Sequence, residues 1–178
     1  MRLQLREIRG NPATVLADEF DCFAGTSTGA IIAACLCWGM AVDEVASLYE
    51  QHAVAMFTPA PWYRRLNSKY RDEPLADVFR RHFSEDGLGR VMQNATTGSP
   101  WPLSNHPGAM FNAEGTTDCN LEIPLWQIIR ASTAAPTFFA PQPIMIGDRP
   151  HLFVDGVTTP FNNPSLLAAS MVLLPCYG

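Results

Sequence analysis

The sequence predicts a single α/β domain, and three stretches carry that prediction. Phe20-Asp21-Cys22-Phe23-Ala24 is short and mostly apolar and reads as a buried strand. It runs through Gly25-Thr26-Ser27-Thr28-Gly29 into Ala30-Ile31-Ile32-Ala33-Ala34-Cys35-Leu36, which lacks Gly and Pro and favours helix. Near the other end, Leu152-Phe153-Val154 is an apolar strand that runs straight into Asp155-Gly156. Between these landmarks lie segments with helical spacing, so strands and helices are mixed along one chain.

Taken in order, residues 2–9 carry Leu3, Leu5 and Ile8 among Arg and Glu and read as a short amphipathic helix, with a strand as the rival. Gly10-Asn11-Pro12 breaks it. Gly39 stops the helix that follows Gly29. Val42, Val45, Leu48 and Tyr49 then fall at helical spacing, with Asp43 and Glu44 where the helix dipole favours them. Thr58-Pro59-Ala60-Pro61 ends that element. Residues 62–72 are basic and aromatic, a solvated face or a contact for anionic lipid headgroups. Pro74 opens another helix, closed by Gly87 and Gly89. Residues 97–118, rich in Gly, Pro, Ser and Asn, read as one long irregular segment, either a lid or a surface excursion. Residues 125–131 read as a helix between Pro124 and Pro136, and Asn162-Asn163-Pro164 caps a last apolar helix over residues 165–174.

Bulk properties exclude several classes. The 178 residues suffice for one real core, and 47% hydrophobic against 16% charged residues is a globular composition. The net charge is −5 and the basic residues are scattered, so no nucleic-acid footprint is present and no nucleic-acid partner is expected. Five cysteines without a C-x-x-C argue against a disulfide framework and a zinc site. No metal or cofactor is expected. With no signal-like N-terminus, the cysteines fit a cytoplasmic compartment. The longest uncharged apolar run, residues 30–42, is too short to span a bilayer.

The chemistry concentrates at Gly25-Thr26-Ser27-Thr28-Gly29. Strand, sharp two-glycine turn and helix are the context that a G-x-S-x-G nucleophile elbow needs. Gly25 and Gly29 are expected where side chains would crowd the strand–helix crossing. The N–H groups of the helix starting near Thr28 point at the same spot, where they can stabilise developing negative charge. A Ser after a strand also reads as a simple helix cap. A nucleophilic Ser27 needs a base. Of His52, His82, His106 and His151, only His106 and His151 follow Ser27 and a credible acid, and neither sits on a loop after a last strand. Asp155 ends a strand and is followed by Gly156, so a turn can aim its carboxylate outwards at the sheet edge. A carboxylate serves as base for a hydroxyl only in a dry site within hydrogen-bonding distance. Taken alone, Asp155-Gly156 also reads as an ordinary turn.

Together these pieces resemble the patatin-like phospholipase family. The elbow segment, the stretch Arg130-Ala131-Ser132-Thr133-Ala134-Ala135-Pro136-Thr137-Phe138-Phe139, and Val154-Asp155-Gly156-Val157 followed by Asn162-Asn163-Pro164 match that family's motifs in order. The resemblance implies a three-layer α/β/α sandwich with a mostly parallel central sheet. It also implies a Ser27–Asp155 dyad without His, with Gly25, Thr26, Thr28 and Gly29 as elbow and oxyanion residues and Gly156 in the second-motif turn. The implied reaction is hydrolysis of lipid or phospholipid acyl esters through an acyl-enzyme, in lipid catabolism, with the protein either free in the cytoplasm or peripheral at a membrane. The matching region begins after the family's first strand and glycine-rich oxyanion loop, and the chain contains no Gly-Gly pair. The expected domain, residues 1–178, therefore lacks that strand and loop. The alternative is a catalytically impaired fragment or a non-catalytic lipid-binding relative.

Overall fold

The computed structural model describes residues 2–56, 58–61, 68–71, 73–82, 90–95, 97–106, 109, 111–113 and 115–173. In chain order these form α1 (Arg2–Arg9), α2 (Thr28–Cys37), α3 (Val42–Met56), α4 (Glu73–His82), β1 (Arg90–Asn94), β2 (Ser99–Leu103), α5 (Leu125–Ser132), β3 (Gln142–Ile146), β4 (Arg149–Asp155) and α6 (Ser165–Leu173). The strands make one four-stranded sheet in the order β2-β1-β4-β3.

The sheet corrects two expectations. All three pairings are antiparallel, so a mostly parallel sheet is not what the described residues form. Connectivity explains two of these pairings: β1–β2 and β3–β4 are joined by short turns, and a parallel pair would need a long crossover. Gly98 (φ 72°) and Gly147 (φ 57°) supply the left-handed residues in those turns. The second correction concerns residues 97–118, which are not wholly irregular, because β2 lies within them despite Pro100 and Pro102. Its position at the sheet edge accommodates residues that cannot donate to a ladder.

A third expectation also fails. Residues 20–24 are neither strand nor buried, and Phe20 is 41% exposed. The apolar run carries a strand signal, but no strand among the described residues pairs with it. Among the described residues, the elbow turn therefore follows a segment that belongs to no strand.

α5 is the centre of the packing. Its Leu125 and Ile129 join Ile31, Cys35, Val45, Leu48, Val78 and Phe79 in a core shared with α2, α3 and α4. An adjacent stripe, Ile128 and Ala131, packs with Leu103, Ile144 and Phe153 from the sheet. Burying each of the larger side chains contributes roughly 1.5–3 kcal/mol. The layers are thus sheet, α5, then the three other helices. α3 and α4 match the sequence reading, α4 with Pro74 in its first turn. α1 is helical and is tied back by Arg6 Nε donating to Thr14 O (3.1 Å) and by the Arg9–Glu19 ion pair. The basic stretch 62–72 lies mostly outside the described residues. Of its described part, Lys69 lies over the rings of Tyr70 and Phe138.

The outer face of the sheet and α6 are apolar and open. Met145 and Leu152 are exposed on that face, and α6 carries no charge while exposing Leu166 and Leu173. Asn163 Oδ1 accepts from Ser165 N at the start of α6, as the capping expectation requires. No helix among the described residues is long and apolar enough to cross a membrane.

Candidate active site

The elbow is built by a steric requirement at one glycine. A Cβ at Gly25 would lie 2.1 Å from Gly29 O and 2.6 Å from Ala30 N, inside the first turn of α2. Only glycine lets the chain pass so close to the helix start. Gly29 differs from expectation, because a Cβ there meets nothing within 4 Å. Crowding is therefore a property of Gly25 and not of Gly29.

Ser27 itself sits at φ 57°, ψ −129°, a region that non-glycine residues avoid. Strain of this kind costs roughly 1–3 kcal/mol and persists only where the surroundings hold it. Here they hold it on every side. Gly29 N donates to Thr26 O (3.0 Å) and Ala30 N to Ser27 O (2.9 Å), which closes the first turn. The buried Thr26 donates through Oγ1 to Phe161 O at 3.1 Å. Tyr49 Oη donates to Thr28 O at 3.0 Å, and burial pushes its phenol up to about 12, so it stays a donor. Ser27 N donates to Ser132 Oγ at 3.1 Å. The N–H of Thr28 has no acceptor among the described residues and opens α2 beside the Ser27 hydroxyl.

Asp155 meets Ser27 across 128 residues of sequence. Ser27 Oγ donates to Asp155 Oδ2 at 2.5 Å, the short distance of a hydroxyl–carboxylate bond. The other carboxylate oxygen, Oδ1, accepts from Val157 N at 2.9 Å within the turn that Gly156 begins. The main chain is anchored as well: Asp155 N donates to Ala134 O (3.0 Å) and Thr158 Oγ1 donates to Asp155 O (2.9 Å). Asp155 is 1% exposed, and burial raises its pKa, opposed by the bonds from Ser27 and Val157. A buried carboxylate whose pKa is raised, bonded to a serine in a strained turn, is suited to taking that serine's proton.

The histidines stand elsewhere. No histidine among the described residues hydrogen-bonds Ser27, and His151 lies on β4 against the rings of Trp101 and Phe153. No group of three or more His, Cys, Asp or Glu side chains among the described residues could hold a metal ion.

Residues 9–169 match the family profile described as patatin-like phospholipase. The chain belongs to that family. It is similar to Patatin-17 of Solanum cardiophyllum (26% identical over 94% of this chain and 46% of the relative) and to Patatin-16 of Solanum tuberosum (25%, 94% and 46%). It is also similar to the cUMP-AMP-activated phospholipase of Escherichia coli (29% identical over 92% of this chain and 52% of the relative). The patatin-like chain spans about half the length of the curated relatives it matches.

Of the residues singled out from the patatin-like sequence, Ser27 and Asp155 are brought into direct contact, and Gly25, Thr26, Thr28 and Gly156 all shape that contact. Ser132 lies within the stretch 130–139 that matches the family. No local signal marks it, because its bond to Ser27 spans 105 residues.

Proposed function

We propose that this chain carries the catalytic centre of a lipid acyl hydrolase that works through a Ser27–Asp155 dyad. The observation that carries the proposal is the 2.5 Å bond from Ser27 Oγ to the buried carboxylate of Asp155. Ser27 Oγ attacks the ester carbonyl carbon while its proton passes to Asp155. The tetrahedral intermediate collapses as the carbonyl–oxygen bond to the leaving alcohol breaks, and Asp155 returns the proton to that alcohol. Water then attacks the acyl carbon as its proton passes to Asp155, the bond to Ser27 Oγ breaks, and Asp155 returns the proton to Ser27 as the fatty acid leaves. In this reading the Thr28 N–H, at the start of α2, donates to the developing oxyanion. The substrate class is a lipid or phospholipid ester presented at an aggregate or membrane surface, and the role is lipid breakdown.

A catalytically impaired or lipid-binding relative is the second reading. What divides the two readings is the supply of oxyanion donors, since one lost donor costs roughly 10²–10³ in rate. Hydrolysis of p-nitrophenyl butyrate and fatty-acid release from phospholipid micelles separate the two. The hydrolase reading expects both activities and their loss in Ser27→Ala. Micelle binding without ester hydrolysis supports the second reading.

A further inference from the structure

The two members of the dyad come from distant parts of the chain, yet one short segment touches the backbone of both. Ser132, the last residue of α5, accepts from Ser27 N through its Oγ at 3.1 Å. Two residues on, Ala134 O accepts from Asp155 N at 3.0 Å. The segment is itself fixed: Thr133 Oγ1 donates to Ile129 O (2.9 Å) and lies 3.2 Å from Arg130 O, and Asp155 Oδ2 and Ser27 Oγ close the ring at 2.5 Å. Ser132 and Ala134 are both 0% exposed. The hydroxyl that meets the Ser27 amide is therefore held by the helix at the centre of both cores.

We propose that Ser132 is a positioning residue for the dyad: its hydroxyl holds the strained Ser27 backbone so that the Ser27 Oγ stays aligned on Asp155. The inference rests on the dyad reading above. The physical case is that Ser27 is the N-cap of α2, so its N–H has no acceptor within the helix and is met only from outside it. Ser132 is that acceptor. With it removed, the turn can relax while Gly25, Thr26 and Asp155 keep their own contacts. Ser27 then loses aim rather than access.

Saturation labelling of Ser27 with a fluorophosphonate probe, in wild type, Ser132→Ala and Ser132→Thr, tests this. A misplacement on the scale of an ångström lowers reactivity by roughly 10- to 100-fold, so Ser132→Ala should show that drop in maximum labelling rate. The half-saturating probe concentration should stay within about twofold, as for an interaction made in the transition state only. Ser132→Thr keeps the hydroxyl and should recover the rate to within about threefold of wild type. Ser132→Ala reacting like wild type overturns the proposal. So does a Thr variant as slow as the Ala variant with an equal loss of thermal stability, which marks a packing role. Amide hydrogen exchange at Ser27 covers the case in which the wild type itself does not react and the dyad reading fails. A protected Ser27 amide that loses about tenfold protection in Ser132→Ala, while α5 keeps its own, supports the bracket. Equal exchange in the two proteins overturns it.

Discussion

The two elbow glycines make a paired prediction, because the structure treats them oppositely. In Gly25→Ala the new methyl would lie 2.1 Å from Gly29 O, 2.4 Å from Gly29 C and 2.6 Å from Ala30 N. These are backbone atoms of the first turn of α2, so no side chain can swing away. Restoring ordinary contact distances of about 3.5 Å requires the turn and helix start to separate by more than an ångström. Overpacking of this kind costs roughly 1–3 kcal/mol, or about 2–12 °C in midpoint at about 2–4 °C per kcal/mol. The same movement separates Ser27 Oγ from Asp155 and lowers turnover by about 100-fold. In Gly29→Ala the methyl meets nothing within 4 Å. Replacing Gly by Ala inside a helix stabilises by up to about 1 kcal/mol. Thermal and urea unfolding of both variants, with ester hydrolysis alongside, provide the assay. A Gly25→Ala protein as stable and active as wild type, or a Gly29→Ala protein as damaged as Gly25→Ala, refutes the steric account of the elbow.

Other outcomes follow from the same contacts. Burial raises the Asp155 pKa above the ordinary carboxylate range, against the bonds from Ser27 and Val157, so the folded state favours the protonated acid. The stability this confers is full below the unfolded carboxylate range and is lost as pH rises through the raised folded value. Asp155→Asn should therefore have a higher melting temperature than wild type at neutral pH, the advantage vanishing in acid, while hydrolysis is lost. For wild type, the pH–rate profile should show an acid limb above the ordinary carboxylate range, as the base deprotonates. Tyr49→Phe removes the bond to Thr28 O and should cost about 0.5–1.5 kcal/mol in urea unfolding. His106→Ala and His151→Ala should each keep hydrolysis within about threefold of wild type; a loss of 10³-fold or more in either would assign the base to histidine.

What could be read in the sequence was what depends on neighbours in the chain. α2 follows from the Gly- and Pro-free run 30–36 and α3 from helical spacing, and Gly39 (φ 84°) ends α2 where expected. The turns before α2 and after β4 made Ser27 and Asp155 candidates, and the family resemblance is what joined them as a pair. Contacts set by tertiary structure left no local trace. Residues 20–24 carry a strand pattern, but a strand forms only where another pairs with it. β2 was hidden by Pro100 and Pro102, which an edge position tolerates. Gly29 matches the motif without being crowded in this fold. Ser132 acts on a residue in another element, which no periodicity reports.

The central claim is that Ser27 is a nucleophile activated by Asp155. Treating the purified chain with a fluorophosphonate and locating the adduct by mass spectrometry tests it most directly. The account predicts a single adduct on Ser27, absent from Asp155→Ala although that variant remains folded by circular dichroism. A folded wild-type chain with no adduct on Ser27, or an Asp155→Ala chain labelled as fast as wild type, would contradict it.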